Sequence, residues 1–579
     1  MKELDKKDVI QHLEKVATYL ELQGSNPYRI AAYRKASQGL EKDVRSLKEI
    51  DDIGDIPGIG KGTKELIDSF LATGTSELLT TLEEEVPAGL LPLLKLPGLG
   101  GKRLALLYKE LGVTDEASLK KAIETGKLEQ VKGMGKKTAQ NILEALENQG
   151  ERPERLPVHL MLRVSEEIEA GLQEIKEIER YNVAGSLRRL RETIKDIDYI
   201  IAATEKDAVR KQLINLPNVK EIIANGTTKV SVTIQDEYDI NIDFRIVDQA
   251  EFASTLHHFT GSKDHNVSMR QLAKERDEKI NEYGVEKEAT GEIVHFDSEA
   301  DFYQHFDLHY IPPEMRENTN ELEIFQQAPP LLSSSDILGD LHMHTTWSDG
   351  AHSVEEMVNY ARKLGYSYVT ITDHSKFLQV ANGLNEKRLR KQGEEIHRLN
   401  EKYKDIEILR GVEMDILPNG ELDFEDSFLA ELDLVIAAIH SSFNQTEAEI
   451  MKRIDAALNN PFVDIIAHPT GRIIGRREGY QVNVAKMIQK AKETNTALEL
   501  NANPQRFDLT TTWLKAAQEA GVPVAINTDA HNQESMHLMN YGIRRANRAF
   551  LKPENIVNTW SKAKLLSFIQ RNKGTSEGE

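Results

Sequence analysis

Asp340-Leu341-His342-Met343-His344 opens the series that decides the fold of the last third of this chain. Six more apolar runs end on the same kinds of residue. They are Val369-Thr370-Ile371-Thr372-Asp373-His374, Leu409-Arg410-Gly411-Val412-Glu413, Val435-Ile436-Ala437-Ala438-Ile439-His440, Ile465-Ile466-Ala467-His468, Ala497-Leu498-Glu499-Leu500-Asn501 and Val524-Ala525-Ile526-Asn527-Thr528-Asp529-Ala530-His531. Helical patterns separate most of them. Such alternation builds a parallel sheet through right-handed crossovers, and ligands at the C-terminal strand ends gather at one open face. The reading is a closed barrel holding a cluster of metal ions. His342/His344 and Asp529/His531 are i,i+2 pairs, so each pair can chelate one ion. A lone histidine at such a place is usually a satisfied core residue, but seven strand ends carrying ligands or polar caps outweigh that reading.

The bulk numbers set bounds. A chain of 579 residues with 39% hydrophobic and 29% charged residues is globular and too long for one core. No apolar run approaches the ~18 residues of a membrane span. The N-terminus lacks a signal peptide's apolar core, so a cytoplasmic location is expected. Zero cysteines exclude disulfides, thiolate metal sites and a cysteine nucleophile. A net charge of −21 argues against a nucleic-acid partner only until its distribution is read: residues 1–150 sum to −2, residues 281–335 to −10 and residues 336–579 to −5. Affinity for phosphate depends on local patches.

Residues 1–150 are helical in pattern and carry three similar turns: Ile56-Pro57-Gly58-Ile59-Gly60-Lys61, Leu96-Pro97-Gly98-Leu99-Gly100-Gly101-Lys102 and Val131-Lys132-Gly133-Met134-Gly135-Lys136-Lys137. The paired glycines let backbone approach a phosphate, and the next helix points its first N–H groups at it. This is a helix-hairpin-helix signature, a sequence-independent grip on a nucleic-acid backbone. Candidate DNA-binding residues are therefore Gly58, Gly60, Lys61, Gly98, Gly100, Lys102, Gly133, Gly135 and Lys136. One such turn is often only a tight connection; three, each beside lysine, argue against that.

The segment 151–250 turns β-rich, with strand patterns around Tyr181–Val183, Ile197–Ala202, Lys229–Ile234 and Ile240–Val247. Asp196 and Asp198 stand at i and i+2, on one face of a strand. Asp243 can face them from a neighbouring strand. Converging carboxylates repel unless cations lie between them, and two Mg²⁺ ions bridged by phosphates satisfy the arrangement. Upstream, Val183-Ala184-Gly185-Ser186-Leu187-Arg188-Arg189 reads as a glycine–serine turn entering a helix, suited to the outer phosphates of a triphosphate.

These motifs resemble the palm of X-family DNA polymerases, and His257-His258-Phe259-Thr260-Gly261-Ser262 with Asn266 and Met269-Arg270 resembles that family's thumb. The resemblance implies metal binding by Asp196 and Asp198, with Asp243 assisting the ion that activates a primer 3′-hydroxyl. It implies triphosphate contacts from Gly185, Ser186 and Arg189. It places His258, Phe259 and Gly261 along the sugar, and Asn266 and Arg270 toward base and template. Histidine at 258, where the family often has tyrosine, leaves sugar selectivity open. The first hairpin is similar to a deoxyribose-phosphate lyase domain, but Leu66 stands where the Schiff-base lysine is expected, so weak or absent lyase activity is predicted.

The C-terminal motifs resemble the PHP domain, the polymerase-and-histidinol-phosphatase family. The resemblance implies nine ligands, His342, His344, Asp349, His374, Glu413, His440, His468, Asp529 and His531, around up to three ions. The N/O donor set suits Mn²⁺, Zn²⁺ or Fe²⁺, and the family most often implies Mn²⁺ or Zn²⁺. Arg472 and Arg506, after strand ends, are candidate phosphate clamps.

The expected architecture is multidomain. All-α helix-hairpin-helix and fingers regions occupy 1–80 and 81–150. An α+β nucleotidyltransferase palm (151–250) and a small thumb (251–316) follow, then a linker (317–335) and a distorted (β/α)7 barrel (336–579). The expected function is a monomeric DNA-repair polymerase filling short gaps in gapped or nicked DNA from dNTPs. Mg²⁺ or Mn²⁺ would serve the palm, and a PHP-domain 3′→5′ exonuclease would process 3′ ends and cleave abasic sites, with other repair proteins as further partners. The alternative is a small-molecule phosphoesterase fused to a non-catalytic DNA-binding scaffold.

Overall fold

The computed structural model describes residues 6–42, 47, 50, 52–94, 99–131, 134, 135, 138, 139, 142, 143 and 153–571. The chain divides into two units between residues 152 and 153.

The first unit is built from helices, among them Lys6–Gln23, Pro27–Lys42, Lys61–Thr73, Glu77–Glu85, Gly101–Leu111 and Glu116–Glu124. Val9, Leu13, Val16 and Leu20 recur at helical spacing and are wholly buried, so one stripe of the first helix faces the core. Gly74 and Gly112 end their helices with φ of 78° and 66°, a conformation glycine adopts without a Cβ clash.

In the second unit a five-stranded sheet comes first: β1 Arg180–Val183, β2 Ile197–Ala202, β3 Val219–Asn225, β4 Lys229–Gln235 and β5 Asp239–Val247. Its order is β1-β2-β5-β4-β3, with only β2 and β5 parallel. Four of these strands match expected patterns; β3 does not. It is an edge strand whose Ile222 and Ile223 are 46% and 53% exposed, so its residues never alternate between core and water as the period-2 signal requires. Helices Phe252–Thr260, Lys263–Lys274 and Glu299–His305 then surround a small three-stranded sheet.

The expected linker is an ordered strap. Glu317 pairs with Arg189 at 3.0 Å, Glu321 with His265 at 2.7 Å, and Phe325 is buried among the thumb's aromatic residues. Leu332 enters the barrel core, and its N–H and carbonyl both bond to Asn547 at 2.9 Å. Each residue docks singly, which leaves no periodicity to read.

The barrel comprises β6 Gly339–Asp340, β7 Tyr368–Ile371, β8 Glu407–Asp415, β9 Leu434–Ala438, β10 Ile465–Ile466, β11 Ala497–Asn501 and β12 Val524–Asn527. All neighbours are parallel and the order follows the sequence. A parallel bridge between Met343 and Ala530 brings the last strand back to the first, so the barrel is nearly closed. The seven strands are those announced by the seven apolar runs. Among the described residues no helix is long and apolar enough to cross a membrane.

Candidate metal and nucleotide sites

The barrel mouth gathers all nine expected donors. His344 Nε2 lies 3.1 Å from Asp529 Oδ1 and 3.2 Å from His342 Nε2. Glu413 sits at the centre: its Oε1 lies 2.9 Å from His468 Nε2 and 3.2 Å from His440 Nε2, and its Oε2 lies 2.8 Å from His374 Nδ1. Asp349 bridges the rim, 3.5 Å from His531 and 3.7 Å from His374. Eight of these residues form three overlapping groups whose donor atoms lie within 4.8 Å of one another. Glu413 comes from inside β8 and Asp349 from the loop after β6; the others come from just past strand ends.

This donor set fits divalent metal. His374 Nδ1 and Glu413 Oε2 are buried and adjacent, yet neither has a hydrogen-bond partner. Lone pairs left facing one another in a dry site call for a cation. Burial and the neighbouring His374 and His531 push the His344 imidazole down to about 3, so it is neutral and can donate a lone pair. Burial pushes the Glu413 carboxyl up, but His440, His342 and His374 outweigh it and hold the group well below its ordinary range.

A second layer that sequence reasoning missed orients these ligands. Glu499 is fully buried on β11. Its Oε1 accepts from His342 Nδ1 at 2.8 Å and Asn527 Nδ2 at 3.0 Å, and its Oε2 accepts from the His468 N–H at 2.6 Å. A carboxylate only accepts, so His342 donates from Nδ1 and its Nε2 faces the cluster. Asp415 lies 3.3 Å from His440 Nδ1 and acts in the same way. Asp373 ties down the turn that carries Asp349, through Thr345 and Ser348, and also accepts from Gln392 Nε2. The only signal for Glu499 was a carboxylate inside an apolar strand.

The two candidate clamps separate. Arg506 reaches the cluster's edge, 3.8 Å from Asp529. The expectation for Arg472 is corrected: its guanidinium is taken bidentately by Glu192 at 3.0 and 2.9 Å and is turned to the palm.

In the palm, the parallel register sets Asp198 directly opposite Asp243. Burial, then the charges of Asp243 and Asp196, pushes the Asp198 carboxyl up to about 6. A Cβ on Gly185, whose φ is 63°, would stand 2.3 Å from Asp198 Oδ2, so only glycine lets the turn close over this carboxylate. Lys229, missed in the sequence, holds Asp243 at 2.8 Å. Among the described residues the tight donor groups are all in the barrel; the palm carboxylates are spaced more widely. Ser186 is half-buried at the start of the helix Gly185–Arg188. Arg189 donates to Glu317 at 3.0 Å and to the Thr260 carbonyl at 2.7 Å. Beyond the sheet, Arg245 stacks on Phe259 at 3.9 Å, and Asn266 Nδ2 donates to the His258 carbonyl at 2.7 Å. A Cβ on Gly261 would meet Asn266 Oδ1 at 2.4 Å. Arg270 is exposed.

The second glycine of each helix-hairpin-helix turn makes the same backbone bonds. The Gly60 carbonyl accepts from Thr63 and Lys64, that of Gly100 from Arg103 and Leu104, and that of Gly135 from Thr138 and Ala139. Gly60 and Gly100 cap their helices without a side-chain bond, which leaves the first N–H groups for a phosphate. Gly58 has φ of 100°, and Lys61 and Lys102 open their helices. Gly98, Gly133 and Lys136 lie outside the described residues. Leu66 is buried, and nearby Lys64 is held by Asp52 at 2.6 Å.

Family descriptions match four stretches: a helix-hairpin-helix domain at residues 5–76, a SAM-like helix-hairpin-helix tandem at 90–148, a DNA polymerase beta thumb at 255–317 and a PHP domain at 340–503. The chain is 53% identical over 569 residues to the DNA polymerase/3′-5′ exonuclease PolX of Bacillus subtilis (strain 168), covering 98% of this chain and 100% of that protein. Two proteins named probable phosphatases are similar to part of the chain. One, from Thermoanaerobacter sp. (strain X514), is 29% identical over 42% of this chain and 97% of its own length. The other, from Syntrophotalea carbinolica, is 28% identical over 38% of this chain and 90% of its own length.

Proposed function

The chain belongs to the PolX family of DNA polymerase/3′-5′ exonucleases, and we propose that it fills short gaps by template-directed nucleotidyl transfer while its barrel trims blocked 3′ ends. It is a DNA polymerase that acts on DNA and dNTPs, with an exonuclease in its PHP domain and divalent metal in both chemistries. The observation that carries the finer reading is the pairing of two separate donor sets in one unit, the Asp198–Asp243 register and the barrel cluster, whose eight grouped donors are joined by His468 beside Glu413.

In the palm, Asp196, Asp198 and Asp243 hold the metals, two Mg²⁺ or Mn²⁺ ions. The Gly185–Ser186 turn receives the triphosphate. Phe259 and Gly261 border the sugar beside His258, whose carbonyl accepts from Asn266. In the barrel the nine donors hold up to three ions, Mn²⁺ or Zn²⁺, and Arg506 steadies phosphate oxygens. Bound cations would neutralise phosphate charge and activate the attacking oxygen in each site. The chain's own residues orient the reactants and exclude water. The helix-hairpin-helix turns grip the DNA backbone, and a buried Leu66 supports weak or absent Schiff-base lyase chemistry. The phosphoesterase alternative accounts for the phosphatase relatives alone.

The test is separability. Asp198→Ala should abolish extension of a gapped duplex and leave degradation of a 3′-recessed strand at the wild-type rate; His344→Ala should do the reverse. A folded single variant of either kind that loses both activities sinks the two-site reading.

A further inference from the structure

The Gly185–Arg189 turn is held from outside the palm. Its helix, Gly185–Arg188, is one turn long, so its last carbonyls lack helical partners. Two arginines on the barrel's last long helix, Met539–Arg548, supply them. Arg544 Nη2 donates to the Arg188 carbonyl, and Arg548 Nη1 donates to the Arg189 carbonyl at 3.0 Å. Each also reaches a carboxylate: Arg544 Nε is 3.3 Å from Glu314, and Arg548 Nη2 is 3.1 Å from Glu317 Oε1. That same oxygen accepts from Arg189 Nε at 3.0 Å, and the other Glu317 oxygen lies 3.5 Å from Arg191. Between the two, Arg545 is almost fully buried and pairs with Glu192, just past the turn, at 2.7 Å.

We propose that Arg544 and Arg548, on the PHP domain, are positioning residues for nucleotidyl transfer: they fix the polymerase's phosphate turn, and Arg548 keeps Glu317 neutralised when Arg189 exchanges it for a triphosphate. This rests on the reading of Ser186 and Arg189 as triphosphate ligands. A carboxylate as enclosed as Glu317, whose side chain is 14% exposed, cannot readily lose its sole cation. Because Glu317 has three arginines around it, one can leave. The guanidinium forks also set the turn's height over Asp198, on which in-line geometry depends.

The test uses the full chain on a single-nucleotide gap with dNTP titration. Arg544→Ala and Arg548→Ala should raise the dNTP KM about tenfold, with kcat changed less than about threefold. The same preparations should degrade a 3′-recessed strand at the wild-type rate, which shows that fold and metal cluster are intact. Arg189→Ala is the control. An unchanged KM there overturns the triphosphate reading itself; a raised KM there with unchanged KM in both other variants overturns only this inference. Arg548→Lys keeps the charge but cannot fork between Glu317 and the carbonyl. It carries the test should the alanine variant not fold, with a KM rise of about threefold or more expected and a wild-type value overturning the proposal.

Discussion

At Glu299 two buried guanidiniums meet one carboxylate: Arg316 Nη1 at 2.5 Å, and Arg188 at 2.7 and 3.0 Å. Burial pushes this carboxyl up, but Arg316 and Arg188 outweigh it and hold it at about 2, against 4.5 when unfolded. The folded value is depressed, so the stabilisation is complete above about pH 4.5 and fades as pH falls toward 2. It amounts to roughly 3 kcal/mol. Urea midpoints measured from pH 5.5 down to 3 should fall for the wild type. In Glu299→Gln they should start lower, because two buried cations lose their partner, and they should fall less steeply; an unchanged acid slope would remove Glu299 from the account. Glu499 gives a second prediction. Glutamine there would set an amide N–H against donors that the carboxylate accepts from, loosening His342 and His468. Glu499→Gln should weaken barrel metal affinity about 10–100-fold in a chelator titration read by metal content, with primer extension preserved; wild-type retention of metal would show that Glu499 serves packing alone. Neither role was legible in the sequence. The nine candidate ligands stood out because each ends an apolar run or fits a known motif, whereas Glu499, Asp415, Lys229 and Glu192 act through partners far away in the chain.

Among elements, legibility followed burial on both sides. The barrel strands are enclosed by helices outside and side chains inside, so Val435–Ala438 and Val524–Ile526 read as unbroken apolar runs. β3 lies at a sheet edge with an open face and carries no such run. The strap 317–335 fails to read for a different reason. Glu317, Glu321, Phe325 and Leu332 each dock on a different partner, and four independent contacts make no period. The same limit affected Arg472. Its position after β10 suggested a phosphate clamp, but the loop it begins turns away from the cluster, with Ile474 packing against the palm core. A residue's distance from a strand end shows which rim it occupies and leaves open which way the loop folds.

For the molecule, the acidic excess of residues 281–335 acquires a structural reason. Glu299, Glu314, Glu317 and Glu321 are spent on Arg188, Arg316, Arg544, Arg189, Arg548 and His265 inside the second unit. These four of the segment's twelve carboxylates are therefore neutralised internally. The same junction joins palm and barrel into one packed body. Phe507, on the loop after β11, is wholly buried in the palm's hydrophobic cluster, with Arg545 stacked on its ring at 4.8 Å. Its neighbour Arg506 reaches toward Asp529 of the metal cluster. A ring of this size removed from a closed core costs about 3–5 kcal/mol, because the lost burial is compounded by a cavity. Here that cavity would lie under the palm while its anchor belongs to the exonuclease. Heat inactivation followed with a gapped duplex and with a 3′-recessed strand should therefore give coincident midpoints in the wild type, and Phe507→Ala should lower both together. If the variant lowers the exonuclease midpoint and leaves extension at its wild-type value, palm and barrel unfold separately, and the shared core does not bind the two activities into one stability.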